Sequence, residues 1–292
     1  MLSIIYITCN RSQELLKSIL SCESHVTIEH EYVIIDNNSN DNTPQIIEKL
    51  RLTGLNIVYC YQKHNLGVSG GRNEGIKSAS GDICYFIDDD AVIVSDGMVL
   101  DKAYKYMNED KSISAMGTDC YDTEKKIQLV GLPIKNSKQN SWSKIRNYIG
   151  CSHFIRKSAV DGILYPNNLI YGSEELYAGL SFYTNGGQVV QYPILKIQHN
   201  PSKHTRESYI ERKRHGHVNT YVIKKYFLPF PYNIISTIVF FIRIIRFEKF
   251  SPLKIINDIK LASQRYKKIF NKKASGNQIR LLIKMFGVKN II

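Results

Sequence analysis

Along the first hundred residues, short unbroken apolar runs alternate with amphipathic stretches of about ten residues. Residues 3–7 form a β-branched run, and residues 11–21 place Leu15, Leu16, Ile19 and Leu20 at helical spacing. Residues 31–35 are a second run. Asp41-Asn42-Thr43-Pro44 then marks a helix start, with Ile46, Ile47 and Leu50 on one face. Residues 56–60 predict a third strand, 70–80 a short helix and 83–87 a fourth strand. Strands apolar at every position are buried on both faces, and their alternation with helices predicts a mainly parallel α/β sheet flanked by helices. Ligands of such sheets bind beyond the carboxyl ends of the strands. The polar clusters fall at those ends: residues 8–11, 36–38, 64–73 and 88–90.

From 112 to 200 the pattern is more mixed. Short strands are predicted near 113–117, 128–132, 151–155 and 194–197, and a helix opens near Ser173. The polar stretch 135–146, which holds the single tryptophan Trp142, predicts a long loop, either a cover for an acceptor sugar or an ordinary surface loop. Beyond about 205 the chain turns helical and basic. Residues 227–247 are strongly apolar, but their uninterrupted core, 234–242, falls short of the ~20 residues of a spanning helix. With Arg243 and Arg246 interrupting it and the lysine-rich stretch 254–273 following, the segment predicts a membrane-associating helical extension lying in the headgroup region. The expected division is a nucleotide-binding and catalytic domain over 1–204 and this extension over 205–292.

Charge sharpens the division. Residues 1–120 carry 10 Lys+Arg against 17 Asp+Glu, whereas residues 200–292 carry 20 against 4. An acidic front and a basic rear imply a carboxylate-bearing site and a tail that meets an anionic surface. The tail has no nucleic-acid recognition motif, and its aromatics cluster apart from its basic residues, so no nucleic-acid partner is expected. The N-terminus shows no signal-peptide pattern, and six irregularly spaced cysteines suit a reduced, cytoplasmic setting.

Three elements carry the chemistry. Asp88-Asp89-Asp90 closes a buried strand, where three carboxylates need a cation among them; hard oxygen ligands suit Mn2+ or Mg2+. The run 64–75, with Gly67, Gly70, Gly71 and Arg72, reads as a glycine-rich loop entering a helix, with the arginine just inside, a pattern that lets backbone and guanidinium approach an anion. Glu174-Glu175 opens a helix after Ser173, a pattern that by itself also describes an N-terminal cap.

In order and spacing, residues 4–11 (IIYITCNR), 32–43 (YVIIDNNSNDNT), 65–75 and 81–91 (GDICYFIDDDA) resemble the family 2 inverting glycosyltransferases of the GT-A fold. The resemblance implies that Asp36 recognises the nucleobase. Thr8, Asn10, Arg11, Asn38 and Asn65 would line the same nucleotide-sugar pocket, with Gly70, Arg72 and Arg206 near the nucleotide. Asp88 and Asp89 would face ribose or sugar. Asp90 would hold the metal, joined by Asp88 and by His199, which stands where many members supply a histidine ligand. Glu175 maps to the general base, although Glu-Glu replaces the commoner Glu-Asp and leaves Glu174 as the alternative. The implied reaction moves a hexose-type sugar from a UDP- or dTDP-sugar to a saccharide hydroxyl. The basic, apolar tail points to a lipid-diphosphate-linked acceptor at the inner face of a bacterial membrane, in surface polysaccharide assembly. A nucleotidyltransferase of related fold is the rival, but residues 8–12 lack the lysine-bearing glycine loop it needs.

Overall fold

In a computed structural model, β1 (Leu2–Thr8), α1 (Ser12–Glu23), β2 (His30–Asp36), α2 (Thr43–Leu52), β3 (Ile57–Tyr61), α3 (Gly67–Ser78) and β4 (Ile83–Ile87) follow the alternation read from the sequence. The structure describes all residues except 135–142, 167, 168, 170, 171, 202–207, 248, 249 and 270–272. β1 pairs in parallel with both β2 and β4, and β2 with β3. The register sets Thr8 opposite Asp36, and Asp36 opposite Tyr61, so the strands release their polar residues at one edge.

The glycines of α3 serve packing. A Cβ on Gly71 would lie 2.8 Å from the Ile7 side chain, and one on Gly75 would lie 2.5 Å from that of Ile5. The helix therefore starts at Gly67, earlier than expected, and lies close against β1. Residues 67–69, expected in the glycine-rich loop, are thus the first residues of the helix.

The second half makes the sheet mixed. β5 (Ala91–Ile93), α4 (Val99–Glu109), β6 (Ile113–Asp122), β7 (Ile127–Leu129), β8 (Ser152–Arg156), α5 (Glu174–Thr184) and β9 (Gln188–His199) complete a nine-stranded sheet of order β3-β2-β1-β4-β8-β6-β9-β5, with β7 on β6. β8 runs antiparallel to β4 and β6, β6 and β9 are parallel, and β5 is antiparallel to β9. That last pairing sets Ala91 opposite His199, which brings the end of β9 to the acid triplet.

α6 (Tyr209–Phe227), α7 (Tyr232–Phe247), α8 (Pro252–Ile269), α9 (Gly276–Phe286) and α10 (Val288–Ile291) follow. They share an apolar cluster with α5: Leu176, Tyr177 and Leu180 join Val218, Val222, Phe227, Tyr266 and Phe286. A full capping box, Ser275 with Gln278, starts α9. No helix among the described residues is long and apolar enough to cross a membrane.

Candidate active site

The acid triplet turns tightly after β4, and alternate side chains part. Asp89 accepts from Thr8 Oγ1 at 2.8 Å and from Arg11 Nη1 at 2.8 Å. Asp90 also takes Arg11 Nη1, at 3.2 Å, and lies 3.1 Å from His199 Nε2; Asp88 lies 3.7 Å from the same nitrogen. The backbone fixes the turn: Asp88 N donates to Cys151 O, and Asn200 N donates to Asp90 O. Burial pushes the Asp89 carboxyl up to about 7 against the pull of Arg11. Burial alone would lower the His199 imidazole, but its bond to Asp90 and the charge of Asp88 outweigh that and raise it. Ligand atoms of Asp88, Asp90 and His199 lie within 4.8 Å of one another. Two hard oxygens and an imidazole form a set that fits Mn2+ or Mg2+. Asp88 is the open member, its side chain 38% exposed.

The loops after β1, β2 and β3 interlock beside the triplet. Asp36 is buried; its Oδ1 accepts from Ser39 N at 2.7 Å and its Oδ2 from Tyr59 OH at 2.6 Å. Asn10 Oδ1 accepts from Asn40 N, and Asn38 Oδ1 from Tyr61 OH. Asn10 and Asn38 both take positive φ, 56° and 68°, which asparagine tolerates better than most residues. Asn65 Oδ1 accepts from Gly67 N and so turns the chain into α3. Asn10, Asn38 and Asn65 are exposed in the loops after β1, β2 and β3, and Asp36 is buried at the end of β2.

Arg72 has a different neighbourhood from the one expected beside a nucleotide. Its Nη1 donates to Glu175 at 3.0 Å and to Glu174 at 3.3 Å, and its Nη2 to Gly150 O at 2.8 Å. The guanidinium also lies 5.4 Å from the centre of the Tyr165 ring. Burial opposes the cation, yet Glu175 and Glu174 outweigh it and raise its pKa. Glu174 is the inner carboxylate, 8% exposed against 16% for Glu175. Burial first, and Glu175 second, push Glu174 up to about 7, with Arg72 opposing. Gly150 is required by close approach: a Cβ there would sit 2.1 Å from Glu175 Oε1 and 2.7 Å from Arg72 Nη2. Beneath lies a buried chain, Tyr148 OH to Tyr165 OH to His153 Nε2, each link 2.8 Å, with His153 Nδ1 3.1 Å from Gly150 O. A carbonyl only accepts, so Nδ1 carries the proton, and burial with the nearby Arg72 holds this imidazole neutral. Neither His153, Tyr165 nor Gly150 has a local sequence signal; strand pairing far along the chain puts them here.

The two acid clusters flank one strand end. Adjacent residues hold them, Gly150 through Arg72 and Cys151 through Asp88 N, and the charge of Asp88 is felt at Glu174. The helix bearing the pair is also gripped from the C-terminal side. Gly172 and Ser173 are consecutive left-handed residues, φ 76° and 72°. Asn219 of α6 donates to Gly172 O at 2.9 Å, and Ser173 Oγ bonds to Gly216 O and Thr220 Oγ1. A left-handed serine costs of order 1 kcal/mol and persists where its surroundings hold it. Arg206 and Trp142, both expected near substrate, lie outside the described residues.

A mixed sheet with a hard-cation set at the end of parallel β4 and a separate carboxylate pair nearby is the arrangement of a GT-A fold. Residues 3–164 match the model of glycosyl transferase family 2, and the chain belongs to that family. It is a glycosyltransferase. A Campylobacter jejuni GalNAc(5)-diNAcBac-PP-undecaprenol beta-1,3-glucosyltransferase is 34% identical over 95 residues, 32% of this chain and 31% of that protein. Among solved structures, GalNAc-T7 with UDP, GalNAc and Mn2+ superposes with TM-score 0.68 at 13% identity, covering 96% of this chain and 56% of that one. S. aureus TarS 1-349 in complex with UDP-GlcNAc gives TM-score 0.60 at 15% identity, covering 99% and 89%. At such identities the structures establish the fold alone.

Proposed function

We propose that this glycosyltransferase moves a hexose-type sugar from a UDP- or dTDP-sugar onto a hydroxyl of a lipid-diphosphate-linked saccharide, inverting the anomeric centre, at the inner face of a bacterial membrane. The observation that carries the reading is the meeting of Asp88, Asp90 and His199 at one side of a strand end whose other side holds Glu174 and Glu175. Asp88, Asp90 and His199 would hold Mn2+ or Mg2+, which when bound offsets negative charge on a leaving diphosphate. The exposed amides of the loops after β1, β2 and β3 suit a nucleobase and ribose. Glu175, the more open of the pair, takes the acceptor's proton as its oxygen attacks from the face opposite the leaving group. Arg72 holds that carboxylate ionised and aimed rather than touching the diphosphate, and the Gly150 carbonyl holds Arg72. Support for the donor and acceptor classes comes from the UDP-GlcNAc complex and the undecaprenol-linked substrate named for the relatives.

The membrane side of the proposal rests on α7. Ile234, Ile235, Ile238, Val239, Ile242 and Ile245 form one exposed stripe at helical spacing, with Ile245 82% exposed and Arg243 and Arg246 beside it. The full chain is expected to float with vesicles containing anionic lipid and to stay behind when Ile238 and Ile242 are both changed to Ser.

The test of the site is thermal stability against a nucleotide panel with and without manganese, repeated on Asp90→Ala. A ligand at ~100 Kd adds about 2.7 kcal/mol. A manganese-dependent rise with UDP or dTDP that vanishes in D90A supports the donor site; no rise with any nucleotide rejects it.

A further inference from the structure

Behind the acid triplet, the sheet sets two thiols against the histidine that the triplet uses. Cys120 lies on β6 opposite Ile197 of β9, and Cys151 immediately precedes β8, the antiparallel neighbour of β6. Their Sγ atoms are 2.8 Å apart, and both residues are buried. Ligand atoms of Cys120, Cys151 and His199 lie within 4.8 Å of one another, the same limit that His199 meets with Asp88 and Asp90. Among the described residues these are the two groups of His, Cys, Asp and Glu with metal-ligating spacing, and they share one imidazole.

We propose that Cys120, Cys151 and His199 form a second cation site, which takes a soft divalent ion such as zinc or cadmium and takes His199 away from the oxygen set. Thiolate and imidazole select soft or borderline cations, whereas carboxylate sets suit magnesium and manganese, so the two sets divide the cations by chemistry. Charge balances on binding: the dication replaces two thiol protons, which leave to solvent, and the imidazole coordinates neutral. Two metal–sulfur bonds of about 2.3 Å at a tetrahedral angle hold their sulfurs about 3.8 Å apart. The thiols must therefore swing about 1 Å further apart, within reach of a side-chain rotation at two residues on adjacent strands.

The site also reaches the triplet through the backbone. Cys151 O accepts from Asp88 N, so a cation drawing on Cys151 pulls on the turn that positions Asp88. Soft-ion binding is thereby an inhibitory event at the hard-ion site. That consequence rests on the donor-site reading; the binding itself does not.

The experiment titrates the reduced full chain with cadmium alone, in a phosphine reductant and without nucleotide, and reads the ultraviolet thiolate-to-cadmium charge transfer. One equivalent is expected to saturate a band of two-thiolate intensity. Cys120→Ala and Cys151→Ala should each remove at least half of the band, and each, like His199→Ala, should weaken cadmium binding tenfold or more. Because any of these could disturb the sheet, the cadmium-113 resonance of the unaltered protein gives the ligand set directly, and a mixed sulfur–nitrogen environment is expected. The absence of a band, or one that survives both cysteine changes and so arises from the half-buried Cys9 and Cys60, overturns the site. Unchanged affinity in H199A overturns the shared histidine. Failure of the manganese–nucleotide melting shift is a separate result, because no nucleotide enters this titration.

Discussion

Two runs of adjacent acids stand at one edge of this sheet, and the fold treats them in opposite ways. Asp88 and Asp90 face His199, Asp88 partly open and Asp90 buried; Arg11 is shared between Asp90 and Asp89. Glu174 and Glu175 face Arg72, which is buried and anchored on Gly150 O. Three carboxylates that share one guanidinium keep an excess of negative charge, which invites a mobile cation. Two carboxylates on one buried guanidinium, the inner of them pushed up to about 7, are closer to neutral and need no further cation. The number of acids per built-in cation, rather than acid identity, is what would separate the proposed metal-binding role from the proposed base role.

The largest effect expected is at the first cluster. Asp90→Ala should lower turnover by about a thousandfold or more, since a bound cation contributes several kcal/mol of charge stabilisation and each 1.36 kcal/mol is tenfold. Stability should change little or rise, because buried like charges are relieved. A D90A protein that keeps manganese-dependent turnover would erase the contrast between the clusters.

Arg72→Met tests the other side. It leaves two buried carboxylates with no cation, which costs about 3–5 kcal/mol of stability. The pair then binds a proton more tightly, so the acid limb of the pH–rate profile moves to higher pH. Arg72→Lys should restore charge but not the fork that spans the glutamates and Gly150 O, and so only part of the stability. Supplying manganese should not rescue either variant; rescue would mean that the second cluster is a metal site as well.

The sequence makes the first cluster far more legible than the second, for a physical reason. The triplet follows β4, whose residues 83–87 are an uninterrupted apolar run, and its loops are joined by parallel pairing that the strand–helix alternation dictates. The reach of His199 to Asp90 depends on β5, three residues long and too short to register as a periodic pattern. α4 also escaped, although Val99, Leu100, Ala103 and Met107 form its buried face. At the second cluster the partners of Arg72 lie 102 and 103 residues away, and Gly150 is fixed by where β8 pairs. The glycines near Arg72 looked like an anion cradle because a helix that must approach a strand needs the same residue type as a turn that must approach a phosphate. The apolar tail was legible as helical, but the particular bonds by which α6 holds Gly172 and Ser173 have no local sequence pattern.

That grip gives the next prediction. Asn219→Ala removes the bond to Gly172 O, which should cost about 1–3 kcal/mol if the carbonyl is left unmet. It should lower kcat by several-fold while the nucleotide melting shift persists, because α6 grips Gly172 and Ser173 at the start of the helix that carries the proposed base. Equal losses in kcat and nucleotide binding would make the contact one of general stability.

The smallest effect concerns the proton held by the inner glutamate. Its folded pKa, about 7, is above the ordinary carboxylate value, so between the two values the folded state binds more protons than the unfolded state. The contribution is therefore full below the unfolded pKa and is lost as pH rises through about 7. Glutamine at 174 keeps the shape and removes the titration. Relative to the variant, the natural protein should lose stability from about pH 4.5 to pH 7 and run parallel outside that window, as measured by denaturant midpoints across pH. Turnover of Glu174→Gln should fall less than that of Glu175→Gln if the outer carboxylate is the base, as proposed. Should the two variants exchange places in turnover, the inner and outer roles are reversed, while the contrast between a cation-seeking triplet and a pair closer to neutral still stands.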